Sequence, residues 1–312
     1  MKHTTIVVTV GLALAAAPTV SAQAQSARTF VSPTGNDGNK GCSMTAPCRT
    51  FQAAIRVTNS GGEITVLGTA DYGTLTIDRA ISIANGGGFE AAIMVPFNGF
   101  GITINAGAND AVSLRGLTLE GNGNASTGIQ VNSAKSLTVD NCVIRHFWST
   151  GISVFATTGN LLVSNSLVSD NAANGITVAG KGTGTVSAVL IRVQANNNAS
   201  SGISVWGGDS NGMVKVTVND SVASNNGDAG IFVSTQAGYA PTALMLFNSV
   251  AANNERGLVA VGGATIRIAH STVTGNNLGW ETTNGGVMQS YGDNSIDGNN
   301  TSENAPPGIA HK

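Results

Sequence analysis

Gly151-Ile152-Ser153-Val154, Gly175-Ile176-Thr177-Val178 and Gly202-Ile203-Ser204-Val205 are three copies of one short pattern, and their recurrence decides the fold. Earlier copies stand at Gly101-Ile102-Thr103-Ile104 and Gly128-Ile129-Gln130-Val131. Later ones stand at Gly230-Ile231-Phe232-Val233 and Gly257-Leu258-Val259, with a degenerate eighth at Gly279-Trp280. Successive glycines are 27, 23, 24, 27, 28, 27 and 22 residues apart. A fixed period of this size marks a solenoid, in which each repeat buries its apolar face only against its neighbours.

Between the copies a second pattern recurs, an alternating apolar run, then Asn-Ser or a relative, then a short apolar pair. Examples are Leu162-Val163-Ser164-Asn165-Ser166-Leu167 and Leu246-Phe247-Asn248-Ser249-Val250. Each unit closes on an Asn-rich turn such as Asn196-Asn197-Asn198 or Asn225-Asn226. The apolar period is two throughout, so a unit holds three short strands and no helix. Leucine-rich repeats share the period but need a Leu-x-x-Leu-x-Leu core and an irregular outer half. Three stacked strands per roughly 25-residue unit predict an all-β parallel β-helix. Eight coils at about 4.8 Å each would form a rod of roughly 40 Å. Gly and Asn are expected at the corners, where left-handed backbone angles are needed and stacked Asn side chains can hydrogen-bond along a column.

Composition agrees. Among 312 residues there are 41 Gly and 32 Asn, only 10% are charged, and the net charge is -2. Surface helices need Glu, Lys and Arg on their outer faces, which excludes a largely helical fold. A 41% hydrophobic content argues against disorder. No basic field exists to release counterions, so nucleic acid is disfavoured as a partner.

Residues 1–22 read as a secretory signal, with Lys2 and His3 before an apolar run and Val20-Ser21-Ala22 as a cleavage site. The run is too short to span a bilayer, and no later segment is longer, so no transmembrane segment is expected. The chain is expected to be exported, to a periplasm or beyond. Cys42 and Cys48, six residues apart across a polar turn, then suit a small disulfide loop, and Cys142 suits a buried free thiol. Residues 23–60 read as an opening segment with a capping helix around 50–57, residues 61–300 as the β-helix, and 301–312 as a polar tail with little regular structure.

The run Phe30-Val31-Ser32-Pro33-Thr34-Gly35-Asn36-Asp37, with Ala46-Pro47-Cys48-Arg49-Thr50-Phe51-Gln52-Ala53-Ala54-Ile55, resembles the opening of secreted right-handed parallel β-helix proteins of the pectin-lyase-like superfamily. The repeats from Gly101 to Asn277 are similar to their β-helix region. The resemblance implies a right-handed solenoid and a polysaccharide or cell-surface glycan as partner. It also implies a groove along one sheet, where relatives keep Asp pairs for hydrolysis, or calcium with Arg or Lys for elimination. It does not fix an activity, because the fold hosts several.

Stacking the repeats tests that groove. The outward positions Thr103, Gln130, Ser153, Thr177, Ser204, Phe232 and Val259 include no carboxylate and no base, so two-carboxylate hydrolysis is not supported there. Aligning Gly151 with Gly175 places His146 beside Asp170 and Arg145 beside Ser169, with Trp148 close by. A His–Asp pair next to an Arg and an aromatic suits proton abstraction from a bound uronate; the plain alternative is a polar surface turn. Phe155 and Trp206, two coils apart, would stack on sugar rings if exposed, with Ser153, Thr177 and Ser204 donating hydrogen bonds. If inward, they are packing. A second column, Asn141, Asn165, Arg192, Asp220, Asn248 and His270, reads as a structural corner ladder. Asp293 to Gly298 lacks the Glu and flanking helices of a calcium loop, no zinc spacing is present, and no cofactor is firmly implied, although calcium would accompany a lyase. Two functions therefore compete: an exported polysaccharide-associated protein, with uronate elimination as the enzymatic form, and a non-catalytic adhesion or structural module.

Overall fold

The computed structural model describes residues 26–236 and 238–311, so the signal segment at 1–22 lies outside the described residues. The described chain forms three wholly parallel sheets of nine, eleven and ten strands, which it visits in turn in every coil. One coil shows the plan: Ile152–Ala156 in the first sheet, Gly159–Ser164 in the second, Leu167–Ser169 in the third. Neighbouring coils stack in register, as in Ile152 on Ile176 on Ile203. The alternation seen in sequence is thereby realised, with Ile and Val of each motif buried and the residue between them facing out.

The motif glycines are required for a different reason from the one the sequence suggested. None of them has a positive φ. Each of the first seven lies against the carbonyl of the next coil's glycine: a Cβ on Gly128 would stand 2.6 Å from the Gly151 oxygen, and one on Gly175 2.6 Å from that of Gly202. The column is a close approach of backbones. The left-handed corners are taken instead by polar side chains. Asn141, Asn165, Arg192, Asp220, Asn248 and His270 turn the chain from second to third sheet with φ of 52, 51, 53, 50, 44 and 49°. Their side chains link along the axis, Arg192 Nε to Asn165 Oδ1 at 2.7 Å and Asn165 Nδ2 to Asp140 Oδ1 at 2.7 Å.

A second ladder lies inside. Asn171, Asn198, Asn226, Asn254, Asn276 and Asn299 are buried just past the third sheet, and each Oδ1 from Asn198 onward accepts the Nδ2 and backbone N–H of the Asn one coil earlier. Glu303 closes the series by accepting from the Asn299 N–H at 2.7 Å. One coil before Asn171 the position is Phe147, fully buried, whose own N–H donates to Asn171 Oδ1.

Both ends are covered. The helix Phe51–Val57 starts at Thr50, whose hydroxyl accepts from Ala53 N–H, and buries Phe51, Ala54 and Ile55 on the first coil. Cys42 and Cys48 are joined in a disulfide. Cys142 is a buried free thiol, and burial pushes it up to about 11. Residues 301–311 do more than trail. Thr301 bridges Leu278, Gly308 bridges Ser290, and Asn304 accepts from the Trp280 indole at 2.7 Å, so the tail seals the last coil.

Candidate functional site

The third-sheet strands Leu117–Glu120, Val143–Arg145 and Leu167–Ser169 end in register at Glu120, Arg145 and Ser169. The chain then turns through left-handed residues, His146 at φ 59° and Asp170 at φ 57°. This stacking brings Arg145 beside Ser169, but His146 finds a partner one coil in the other direction. Its Nδ1 is 2.8 Å from Glu120 Oε1, and Arg145 Nε donates to Glu120 Oε2 at 3.0 Å. Among the described residues His146 forms no ion pair with Asp170. Glu120 escaped the sequence reading because the turn 121–127 is two residues longer than 146–150. The glycine-to-glycine shift of 23 pairs Arg145 with Asn122, whereas the strands pair it with Glu120. Aligning Leu117-Thr118-Leu119-Glu120 with the strand ending at Arg145 would have found it.

The Glu120 side chain is only 13% exposed. Burial alone would raise its pKa, but the Asn122 N–H, His146 and Arg145 outweigh burial and hold the carboxyl below its ordinary value of 4.5. An ionised carboxylate only accepts, so the Nδ1 it binds carries a hydrogen, and in the neutral ring the lone pair is on Nε2. The ring is half exposed and borders an open depression of ≈ 860 Å³ lined by Glu120, Asn122, His146, Asp170, Asn171 and Asn197 among others. Because the folded-state pKa of Glu120 is depressed, its stabilisation is complete above about pH 4.3 and is lost as pH falls through the lowered value. Glu120→Gln is therefore expected to flatten the acid limb of the stability profile below that pH, read as urea midpoints between pH 3 and 7.

The remaining predicted residues divide. Trp148 is 49% exposed on the same turn as His146. Phe97 and Phe100, which the sequence reading passed over, are 73% and 45% exposed on the equivalent turn two coils toward the amino end. Phe155 and Trp206 neither point inward nor stand free. They are half-buried and lie nearly parallel, ring centroids 6.5 Å apart at 14°, across buried Ala179, with the Lys181 ammonium 5.1 Å from the Phe155 ring. Ser153, Thr177 and Ser204 line up in register on the outer face of the first sheet, half-buried.

That face is not free of acid along its whole length. The degenerate copy puts Glu281 opposite Val259, and Glu281 and Asp228 grip Arg256 at 2.9 Å each. The guanidinium lies 5.9 Å from the Phe232 ring, and outward-facing Val259 is fully buried. The sequence reading recognised this copy at Gly279-Trp280 but stopped its outward positions at Val259, although the spacing of 22 from Val259 points to Glu281. This carboxylate is spent on Arg256, and the outward motif positions from Thr103 to Ser204 carry no carboxylate.

Calcium does not fit the depression. Glu120 is fully engaged by its three donors, Asp170 is a single carboxylate, and no group of three His, Cys, Asp or Glu side chains converges among the described residues. Glu120, held below its ordinary value by its donors, is not suited to the general-acid role of a two-carboxylate hydrolysis.

Fold and corner chemistry define a parallel β-helix. The sequence profile described as "Right handed beta helix region" matches residues 53–215, and the chain belongs to that family. Among solved structures it is similar to the pectate lyase Pel9A, with a TM-score of 0.56 and 20% identity over 84% of this chain and 74% of that one. It is also similar to the A-module of mannuronan C-5 epimerase AlgE6 from Azotobacter vinelandii, with a TM-score of 0.47 and 17% identity over 77% and 74%. At these identities the likeness is one of fold. No curated protein matches the chain.

Proposed function

We propose that the protein is exported and binds an acidic polysaccharide along the turn column from Trp148 to Asp170. The observation that carries this is the Glu120–His146 pair, open to solvent in a depression beside an exposed tryptophan. The signal-like segment and the fold shared with a pectate lyase support it. A sugar ring stacks on Trp148 while polar edges face His146, Asp170 and Asn197. In the enzymatic form of this reading, His146 Nε2 takes the C5 proton beside the uronate carboxylate, the C4–O glycosidic bond breaks as a C4–C5 double bond forms, and the departing sugar oxygen takes a proton from water in the open depression. Arg145 then acts through Glu120, which it holds and which orients the imidazole, and does not itself grip the substrate.

The outward motif positions from Thr103 to Ser204, which carry no carboxylate, favour the second reading, a non-catalytic adhesion module. Uronate glycans and neutral glycans, assayed for binding and for ultraviolet absorbance of an unsaturated product, with and without a calcium chelator, separate the two. Trp148→Ala is expected to weaken binding about tenfold, the equivalent of roughly 1.4 kcal/mol. His146→Ala is expected to abolish product while retaining most binding. Binding without product assigns the adhesion reading; no binding to any glycan removes the proposal.

A further inference from the structure

All three sheets begin at the amino end, and residues 36–57 satisfy the open edge of each by a different device. The first-sheet strand Leu75–Ile77 is met by a side chain, Gln52 Oε1 accepting from Thr76 N–H at 2.9 Å. At the third sheet, Asp71 and Tyr72 carbonyls accept from Arg49 Nη1 at 2.6 Å and from Phe51 N–H at 3.1 Å. The second sheet is different, because its outermost strand, Ser26–Val31, is covered by another piece of backbone. Phe30 N–H donates to the Cys42 carbonyl at 2.7 Å, the Phe30 carbonyl accepts from Cys48 N–H at 2.9 Å, and Ser32 N–H donates to the Cys48 carbonyl at 3.0 Å. The covering segment 42–48 has no sheet of its own and is closed by the Cys42–Cys48 disulfide.

At the other end the same sheet finishes at Val287–Ser290, in the same strand direction, and the tail pairs with it only around Ser290. A Ser26–Val31 strand, which forms five register pairs with Thr58–Val66 inside the rod, is long enough to pair with all four residues of Val287–Ser290. We propose that the two ends of the second sheet are complementary docking edges for a second copy of this chain, and that the disulfide-closed loop 42–48 is the guard that keeps them apart. The contact is head-to-tail and does not close on itself, so released copies add end to end into filaments.

The test is the double variant Cys42→Ser/Cys48→Ser in the full-length mature protein, followed by sedimentation velocity and electron microscopy over a hundredfold range of concentration. The wild type is expected to stay of constant size and the variant to grow into unbranched filaments one rod wide. Adding Phe30→Pro distinguishes this from general aggregation. The Phe30 N–H points away from the rod, so proline there spares the internal pairing and blocks the docking edge; filament growth is expected to stop. A variant lacking residues 305–312 is expected to grow faster than the double variant alone. A double variant that keeps its far-ultraviolet spectrum and remains monomeric overturns the proposal. So does one that unfolds without associating, or that aggregates equally with Phe30→Pro.

Discussion

Asn226→Ala is expected to lower the free energy of unfolding by about 4 kcal/mol. The Asn226 side chain is 3% exposed and every hydrogen-bonding position on it is used. Oδ1 accepts from Asn198 N–H and Nδ2, both at 3.0 Å, while Nδ2 donates to the Ala195 carbonyl and to Asn254 Oδ1, both at 3.0 Å. Alanine removes four bonds at once and strands two buried donors of Asn198 with no route to water. A buried polar group left unpaired costs about 1–3 kcal/mol, and the neighbouring rungs are weakened as well. The adjacent Asn225 provides the contrast. It is exposed and left-handed at φ 55°, so Asn225→Ala should cost only about 1 kcal/mol and Asn225→Gly almost nothing. Urea midpoints rank the three variants. Because a solenoid unfolds by neighbouring units, amide exchange in residue 195–257 coils should accelerate first in Asn226→Ala. Equal costs for Asn225→Ala and Asn226→Ala would show that backbone angles, and not the buried ladder, hold the corner.

Gly202→Ala is expected to cost about 3 kcal/mol, and Gly202→Val more. The new methyl would stand 2.8 Å from the Ala195 carbonyl, 2.8 Å from Asn226 Nδ2 and 2.9 Å from the Gly230 carbonyl. Two of these atoms are backbone, and the third is a rung of the ladder, so none can move without opening the coil spacing. Gly41→Ala is the control, since its position has open space and an ordinary φ; its melting temperature should match the wild type. A tolerated alanine at Gly202 would mean that coil spacing is looser than the stacking requires.

These two effects also show where sequence reasoning reached and where it stopped. The period-two strands and the roughly 25-residue repeat dictate three stacked sheets, and Ile and Val of each motif fall inside as their alternation demands. The reason for the motif glycine was hidden, because a left-handed corner and a close backbone approach select the same residue. The inner ladder was hidden for a related reason: Asn225 and Asn226 are adjacent and identical in letter, yet one faces water and the other carries the stack. At the candidate site, Arg145, His146 and Trp148 were legible from repeat alignment. Glu120 was not, because coils align by strands and a turn two residues longer shifts the count. Glu281 was passed over because the outward positions were followed only to Val259. Alternation from Ser153 and Ser204 already places Phe155 and Trp206 on the outer face; that they stack on each other across the small Ala179 is what no period reveals.

We propose that the turn column around Glu120, His146 and Trp148 receives an acidic glycan. Isothermal titration of the mature wild-type protein and of His146→Ala/Trp148→Ala with uronate oligosaccharides tests it most directly, with circular dichroism confirming that both are folded. Saturable binding by the wild type and at least a tenfold weaker affinity in the double variant is the expected result. Equal affinities, or no binding by either protein, would contradict it.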